Sequence, residues 1–171
     1  MDFKTLIEGR YSARRFSDQA VPEEMVKGLI QAARVAPTAH NYQPFHIYNL
    51  KGEGVHGFLN AVTPCDYQAP VNLVLTVDHE KSWKRPDGYD LTYIDAGIVG
   101  THIMLMAEEL GLGCCWIADL NAQKAKLLMK LSTDEEIVSI FEIGFKGENL
   151  QAGPGHGKRK AMAAIYSEII I

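Results

Sequence analysis

The chain has 171 residues, 47% of them apolar, and a formal net charge of -4. That length suits one domain with a real core, and basic residues that cluster only locally give no reason to expect nucleic acid. Neither a signal-peptide pattern nor an apolar run long enough to span a membrane is visible, and Cys65, Cys114 and Cys115, odd in number with two adjacent, form no disulfide framework. A single domain over 1–171 in a reducing, cytoplasmic compartment is the expectation.

In chain order, Phe3, Leu6 and Ile7 have the spacing of a short helix over Phe3 to Glu8. Arg10-Tyr11-Ser12-Ala13-Arg14-Arg15-Phe16 follows. If this stretch is extended, Arg10, Ser12 and Arg14 share one face. Two guanidiniums and a hydroxyl match the oxygens of a phosphate. The plainer reading is a solvated basic strand held by acidic neighbours. A second helix starts at Pro22, with Glu23 and Glu24 at its positive end and an apolar stripe of Met25, Leu29, Ala32, Ala33 and Ala36, and Pro37 stops it.

Pro37 and Pro44 then bracket Thr38-Ala39-His40-Asn41-Tyr42-Gln43, whose neutral donors and acceptors suit the edge of a heterocycle. A plain loop leading into the strand Phe45 to Leu50 is the alternative. No Cys, Asp or Glu completes a ligand set with His40 and His46, so no metal is expected. A short helix over Gly54 to Ala61 precedes a buried strand, Val71 to Asp78. The polar stretch His79 to Leu91, with the turn Pro86-Asp87-Gly88, is a candidate lid.

Tyr93 to Leu110 is the longest predicted helix. It is apolar nearly all round, as expected of a central helix or an oligomer interface. Gly111 is placed to cap it, and Cys114 to Ala118 reads as a strand. Neither cysteine there has a neighbouring base, which argues against thiol catalysis. Asn121 caps a helix running to Leu131, and Ile137 to Phe145 is rich in strand formers. Gly153 to Lys160 has a superficial likeness to a P-loop but lacks the Ser or Thr after the lysine. It reads better as a glycine-rich approach presenting Lys158, Arg159 and Lys160. Ala163 to Ile171 is predicted as a final strand, apolar enough to need covering.

Four stretches together resemble the FMN-dependent nitroreductase family across nearly the whole chain: Arg10-x-Ser12-x-Arg14; Ala36-Pro37-Thr38-Ala39-x-Asn41-x-Gln43-Pro44-Phe45; Gly111-Leu112-Gly113-Cys114-Cys115-Trp116-Ile117 after the long helix; and Lys158-Arg159-Lys160. The second is the most specific. The resemblance implies an α+β fold, a mixed and mainly antiparallel sheet flanked by helices in an intertwined homodimer. It also implies two FMN sites at the dimer interface. In that reading Arg10 and Ser12 meet the phosphate and ribityl end, and Arg14 meets the pyrimidine edge. Pro37, Thr38, Ala39 and Asn41 come from the partner subunit. Trp116, Ile117 and Ala118 line the isoalloxazine, and Lys158, Arg159 and Lys160 close on the phosphate. Tyr11 belongs to the same cofactor-binding set but stands where many members carry Arg or His. An asparagine often found near the flavin has no clear counterpart, since Asn60 is distant and Asn72 lies inside a strand. The implied activity is electron transfer from NAD(P)H through FMN to a small acceptor such as a nitroaromatic or quinone, by a ping-pong mechanism, with no side chain as obligatory acid or base. The rival readings are a specialised relative of reductive-dehalogenase type and a flavin-binding protein of low turnover.

Overall fold

The computed structural model describes residues 1–171. Four strands form one sheet in the order β1 (Phe45–Leu50), β2 (Val71–Asp78), β4 (Glu135–Phe145) and β3 (Leu112–Ile117). Every neighbouring pair is antiparallel. A parallel contact enters through the N-terminal segment, where Ser12 bridges to Cys114 and the Ala13 N–H donates to the Cys114 carbonyl at 3.1 Å. The fold is the expected α+β arrangement of a mainly antiparallel sheet and flanking helices.

β2 is buried at every position, which explains its nearly unbroken apolar run. Its residues alternate between two cores. Leu73, Leu75 and Val77 pack with Phe141 and Ile143 against α2 (Glu23–Arg34) and α4 (Thr92–Glu109). Val74 packs with Cys115, Ile117 and Ile140 against α3 (Val55–Val62) and α5 (Ala122–Met129). Between Leu75 and Thr76 the register with β4 slips by one residue, leaving Val138 as a bulge.

α1 (Phe3–Gly9) leads into the Arg10–Phe16 stretch, which crosses the ends of β3 and β4. The crossing depends on two cross-strand glycine partners, Gly113 and Gly144. A Cβ on Gly113 would stand 2.5 Å from Ala13 Cβ, and one on Gly144 would stand 2.6 Å from Pro70 and 3.3 Å from Phe16. A larger residue at Gly113 would press against the N-terminal segment, and one at Gly144 against Pro70.

α4 buries one stripe, through Asp95, Ala96, Val99, Gly100, Ile103 and Ala107, and leaves Tyr93 and Ile94 exposed. Leu110 ends it and Gly111 follows with φ 75°. Asn121 caps α5 by accepting from the Lys124 N–H at 3.0 Å. The stretch after α3 and the one after β2 are largely irregular. His79–Lys81 is a single 3-10 turn, and the rest closes on itself through a Lys84–Asp90 bridge and an Arg85–Asp87 ion pair. One expectation is corrected. Ala163 to Ile171 is not a strand: Met162–Ala164 forms a single 3-10 turn, and Ile169, Ile170 and Ile171 lie fully exposed. This segment pairs with no strand of its own chain, so β-propensity alone does not make it one. No helix is long and apolar enough to cross a membrane.

Candidate functional site

The two basic motifs at opposite ends of the chain meet. Arg10, Tyr11, Ser12 and Arg14 line a cavity of about 330 Å³ together with Gly153, Pro154, Gly155, His156 and Arg159. No carboxylate is among these residues. Three guanidiniums and a hydroxyl therefore face one space with no opposing charge, which makes it a receptor for an anion.

Local structure explains the convergence. After α1 the chain extends at Arg10 (φ -60°, ψ 132°), and the Ser12–Cys114 bridge pins it to the edge of β3. Ala13 is fully buried, so its neighbours Ser12 and Arg14 point away from the core. Arg10 lies along α4, with Nη1 4.0 Å from Met104 Sδ. From the other end, Tyr11 Oη donates to the Leu150 carbonyl at 3.0 Å, and the Tyr11 ring meets His156 edge-on at 6.1 Å. His156 Nε2 lies 3.1 Å from the Glu8 carbonyl. Lys146 sits over the Tyr11 ring at 4.7 Å while paired to Glu108 at 2.7 Å. Tyr11 thus fastens the glycine-rich segment to the N-terminal motif. Arg159 folds back to the carbonyls of His156 and Lys158, whereas exposed Lys158 and Lys160 are not among the residues lining the cavity.

The Pro37–Asn41 loop does not line this cavity. It is held in an unusual conformation, with positive φ at His40 (51°), Asn41 (57°) and Gln43 (51°). Three left-handed non-glycine residues so close together persist only when neighbours over-determine them. Here Asp95 of α4 accepts the Ala39 N–H at 2.9 Å, Thr38 Oγ1 accepts the Gln43 N–H at 3.0 Å, and His40 stacks on Trp83 at 4.6 Å. Burial raises the Asp95 pKa, and its Oδ2 has no partner. The candidate lid at 79–91 therefore lies against the Pro37–Asn41 loop through Trp83.

Trp116 is turned into the core. Its ring meets Phe141 at 4.8 Å and fits over Gly100, where a Cβ would stand 2.1 Å from Cζ3. Ile117 is buried in the opposite core and Ala118 is exposed. At this end of β3 the groups left to meet a ligand are the backbone and Ala118.

Reasoning from residue types missed Asp95, His156 and a buried polar row across the sheet. Glu142 is fully buried on β4, directly opposite Asn72 of β2 and Cys115 of β3. A signal was present, since Glu142 interrupts the apolar run Ile140-Phe141-Glu142-Ile143. A charged residue inside a buried strand asks for a partner.

Comparison with known proteins gives the family. The model of the nitroreductase family matches residues 7–64 and 63–145. The chain belongs to the nitroreductase family. A crystal structure of a nitroreductase family protein from Clostridium difficile 630 is 31% identical, with all of both chains covered and a TM-score of 0.91. An FMN-dependent nitroreductase from Clostridium difficile R20291 shares the fold, with a TM-score of 0.74 at 23% identity over 88% of this chain and 91% of that one. A protein of Methanothermobacter thermautotrophicus, whose name pairs NADH dehydrogenase with NAD(P)H nitroreductase, is 27% identical over 156 residues, 87% of this chain and 80% of its own length.

Proposed function

We propose that the protein is an FMN-dependent oxidoreductase that passes electrons from NAD(P)H to a small acceptor such as a nitroaromatic or a quinone. The observation that carries this reading is the cavity lined by Arg10, Ser12, Arg14 and Arg159 and by no carboxylate. A donor set of that kind fits the phosphate and the electron-rich edge of FMN. When bound, FMN supplies the two-electron relay between donor and acceptor. The protein's part is to hold and polarise it. Arg10 and Ser12 anchor the phosphate end, with Arg159, Lys158 and Lys160 closing from the C-terminal segment. Arg14 is a fixed cation at the pyrimidine edge, aimed where negative charge accumulates, and its stabilisation needs no rearrangement during the reaction. The main-chain N–H groups at Ile117 and Ala118 are the donors toward the ring system. The chain acts as one FMN-binding domain over 1–171.

The site is completed by a second copy of the chain. In this reading Pro37, Thr38, Ala39 and Asn41 reach the partner's flavin, which agrees with their absence from the cavity of their own chain. Exposed Tyr93 and Ile94 on α4, and exposed Ile165, Tyr166 and Ile169 to Ile171 in the C-terminal segment, support an intertwined homodimer. The three cysteines are free and two are buried, which supports a reducing, cytoplasmic setting.

The absorption spectrum of the purified protein tests the reading. A bound flavin that anaerobic NAD(P)H bleaches, and that a quinone or nitroaromatic restores, is the expected result. Bound flavin with negligible turnover would point to the flavin-binding alternative, and a colourless protein that takes up no FMN would end both.

A further inference from the structure

The segment between β2 and α4 is fastened at one histidine. His79, its first residue, has a carboxylate at each ring nitrogen. Nδ1 stands 2.8 Å from Asp90 Oδ2, and Nε2 stands 3.0 Å from Glu136 Oε2. Asp90 lies near the other end of the same segment, and Glu136 lies on β4. One ring therefore ties the start of the segment to its end and both to the sheet. A neutral imidazole has a single N–H, so it can donate to only one carboxylate and must turn a lone pair on the other. Two carboxylates at hydrogen-bond distance call for the doubly protonated ring.

The surroundings orient both carboxylates from their far oxygens. Tyr93 of α4 donates its hydroxyl to Glu136 Oε1 at 2.8 Å, and its ring meets His79 edge-on at 5.2 Å. Asp90 Oδ1 accepts the Thr92 N–H at 2.8 Å and the Thr92 hydroxyl, which leaves Oδ2 for His79. Neither carboxylate has another cationic partner. The titratable groups facing His79 are thus Asp90 from the segment itself, Tyr93 from α4 and Glu136 from β4. Beyond them, Glu80, Lys126 of α5, Asp134 and Glu135 line an adjoining cavity of about 410 Å³, and Asp78 and Lys81 pair with each other at 2.7 Å. The Asp90 hydrogen bond is the main cause that raises the His79 pKa above the usual histidine value. The Lys84–Asp90 bridge joins the residue after Trp83 to Asp90, so Trp83, stacked on His40 at 4.6 Å, follows the position of Asp90.

We propose that His79 is a protonation-dependent latch: as the imidazolium it holds the 79–91 segment between Asp90 and Glu136 and keeps Trp83 on His40, and as the neutral ring it releases the segment from β4. Loss of the charge leaves two carboxylates that repel each other across a ring able to satisfy only one. The folded state holds the His79 proton more tightly than the unfolded chain. The latch is therefore fully closed below about 6.5 and opens as pH rises through the raised folded-state value. It does not depend on the flavin reading.

Two measurements on the intact protein decide it. The first is the pH titration of the His79 ring by NMR of its nitrogens. The midpoint should lie above the ordinary 6.5 and should fall in Glu136→Gln, which removes one of the two anions. A midpoint at or below 6.5, or one that Glu136→Gln does not lower, overturns the proposal. The second labels Trp83 and Trp116, the two tryptophans of the chain, with 5-fluorotryptophan and follows Trp83 by fluorine NMR, assigned through Trp83→Phe. The core resonance of Trp116 reports that each variant is folded. In the wild type the Trp83 resonance should move toward a solvent-exposed position with the His79 midpoint. Loss of the charged contact, allowing for a partly exposed ring, should raise the ratio of released to docked segment about five-fold. In His79→Gln the resonance should sit at the released position at low pH as well. His40 is present in both proteins, so a shift common to the two belongs to His40. A Trp83 resonance that ignores the His79 midpoint, or that moves identically in His79→Gln, overturns the proposal.

Discussion

Tyr11 Oη donates to the Leu150 carbonyl at 3.0 Å, across 139 residues of sequence. This bond brings the glycine-rich C-terminal segment over the arginine motif. With the His156–Glu8 contact it accompanies the placing of Arg159 in one cavity with Arg10 and Arg14. Tyr11 acts here as a clasp. Tyr11→Phe removes one hydrogen bond, worth about 1 kcal/mol. Hydrogen exchange should then speed up across residues 150–160 while the sheet stays protected. Unchanged protection in that segment would show that the clasp does not hold it.

Arg10 is assigned to the phosphate end of the cavity. A hydrogen bond to a charged group contributes on the order of 1.5–3 kcal/mol, so Arg10→Ala should weaken FMN binding about ten-fold or more. Riboflavin, lacking the phosphate, should bind the wild type less tightly than FMN. Equal affinities for the two flavins would remove the phosphate from the site.

Arg14 is assigned to the reacting end. If donor and acceptor share one flavin face, they bind in turn, and double-reciprocal plots should be parallel. Arg14→Ala should slow reduction by NAD(P)H more than it weakens FMN binding, and Arg14→Lys should keep part of the rate because charge remains while fork geometry is lost. Intersecting lines would mean separate donor and acceptor sites.

The apolar surface on α4 and in the C-terminal segment predicts an obligate homodimer. Light scattering should return twice the chain mass of 19.0 kDa, and dilution that separates the subunits should release FMN. A monomer that retains its flavin is the contrary result.

Glu142 makes stability depend on pH. Its folded-state value lies near 8, above the ordinary 4.5, so the native state holds the proton more tightly than the unfolded chain. The contribution is fully present below about 4.5 and is lost as pH rises through about 8. Melting temperature should therefore fall over that interval in the wild type and fall less in Glu142→Gln. Parallel curves for the two proteins would show that Glu142 does not titrate in that interval.

Local pattern in the chain specifies most of the elements. Periodicity marked α2 and α4, the unbroken Val71–Asp78 run marked a central strand, and Gly111 and Asn121 marked a helix end and a helix start. These signals are local, since a cap or an apolar stripe is written within a few residues of the structure it causes. The Ala163–Ile171 segment misled for the same reason: strand formers were present, but no edge of this chain pairs with them. Which distant groups meet is set by the packing of the whole chain. The Tyr11–Leu150 clasp, the Asp95 contact to Ala39 and the Tyr67–Glu142 bond each join residues from different elements. Trp116 reads equally well as a ring contact or as core until Gly100 is seen to receive its indole. Pairing and burial are properties of the packed chain, because they depend on which side chains exclude water from one another.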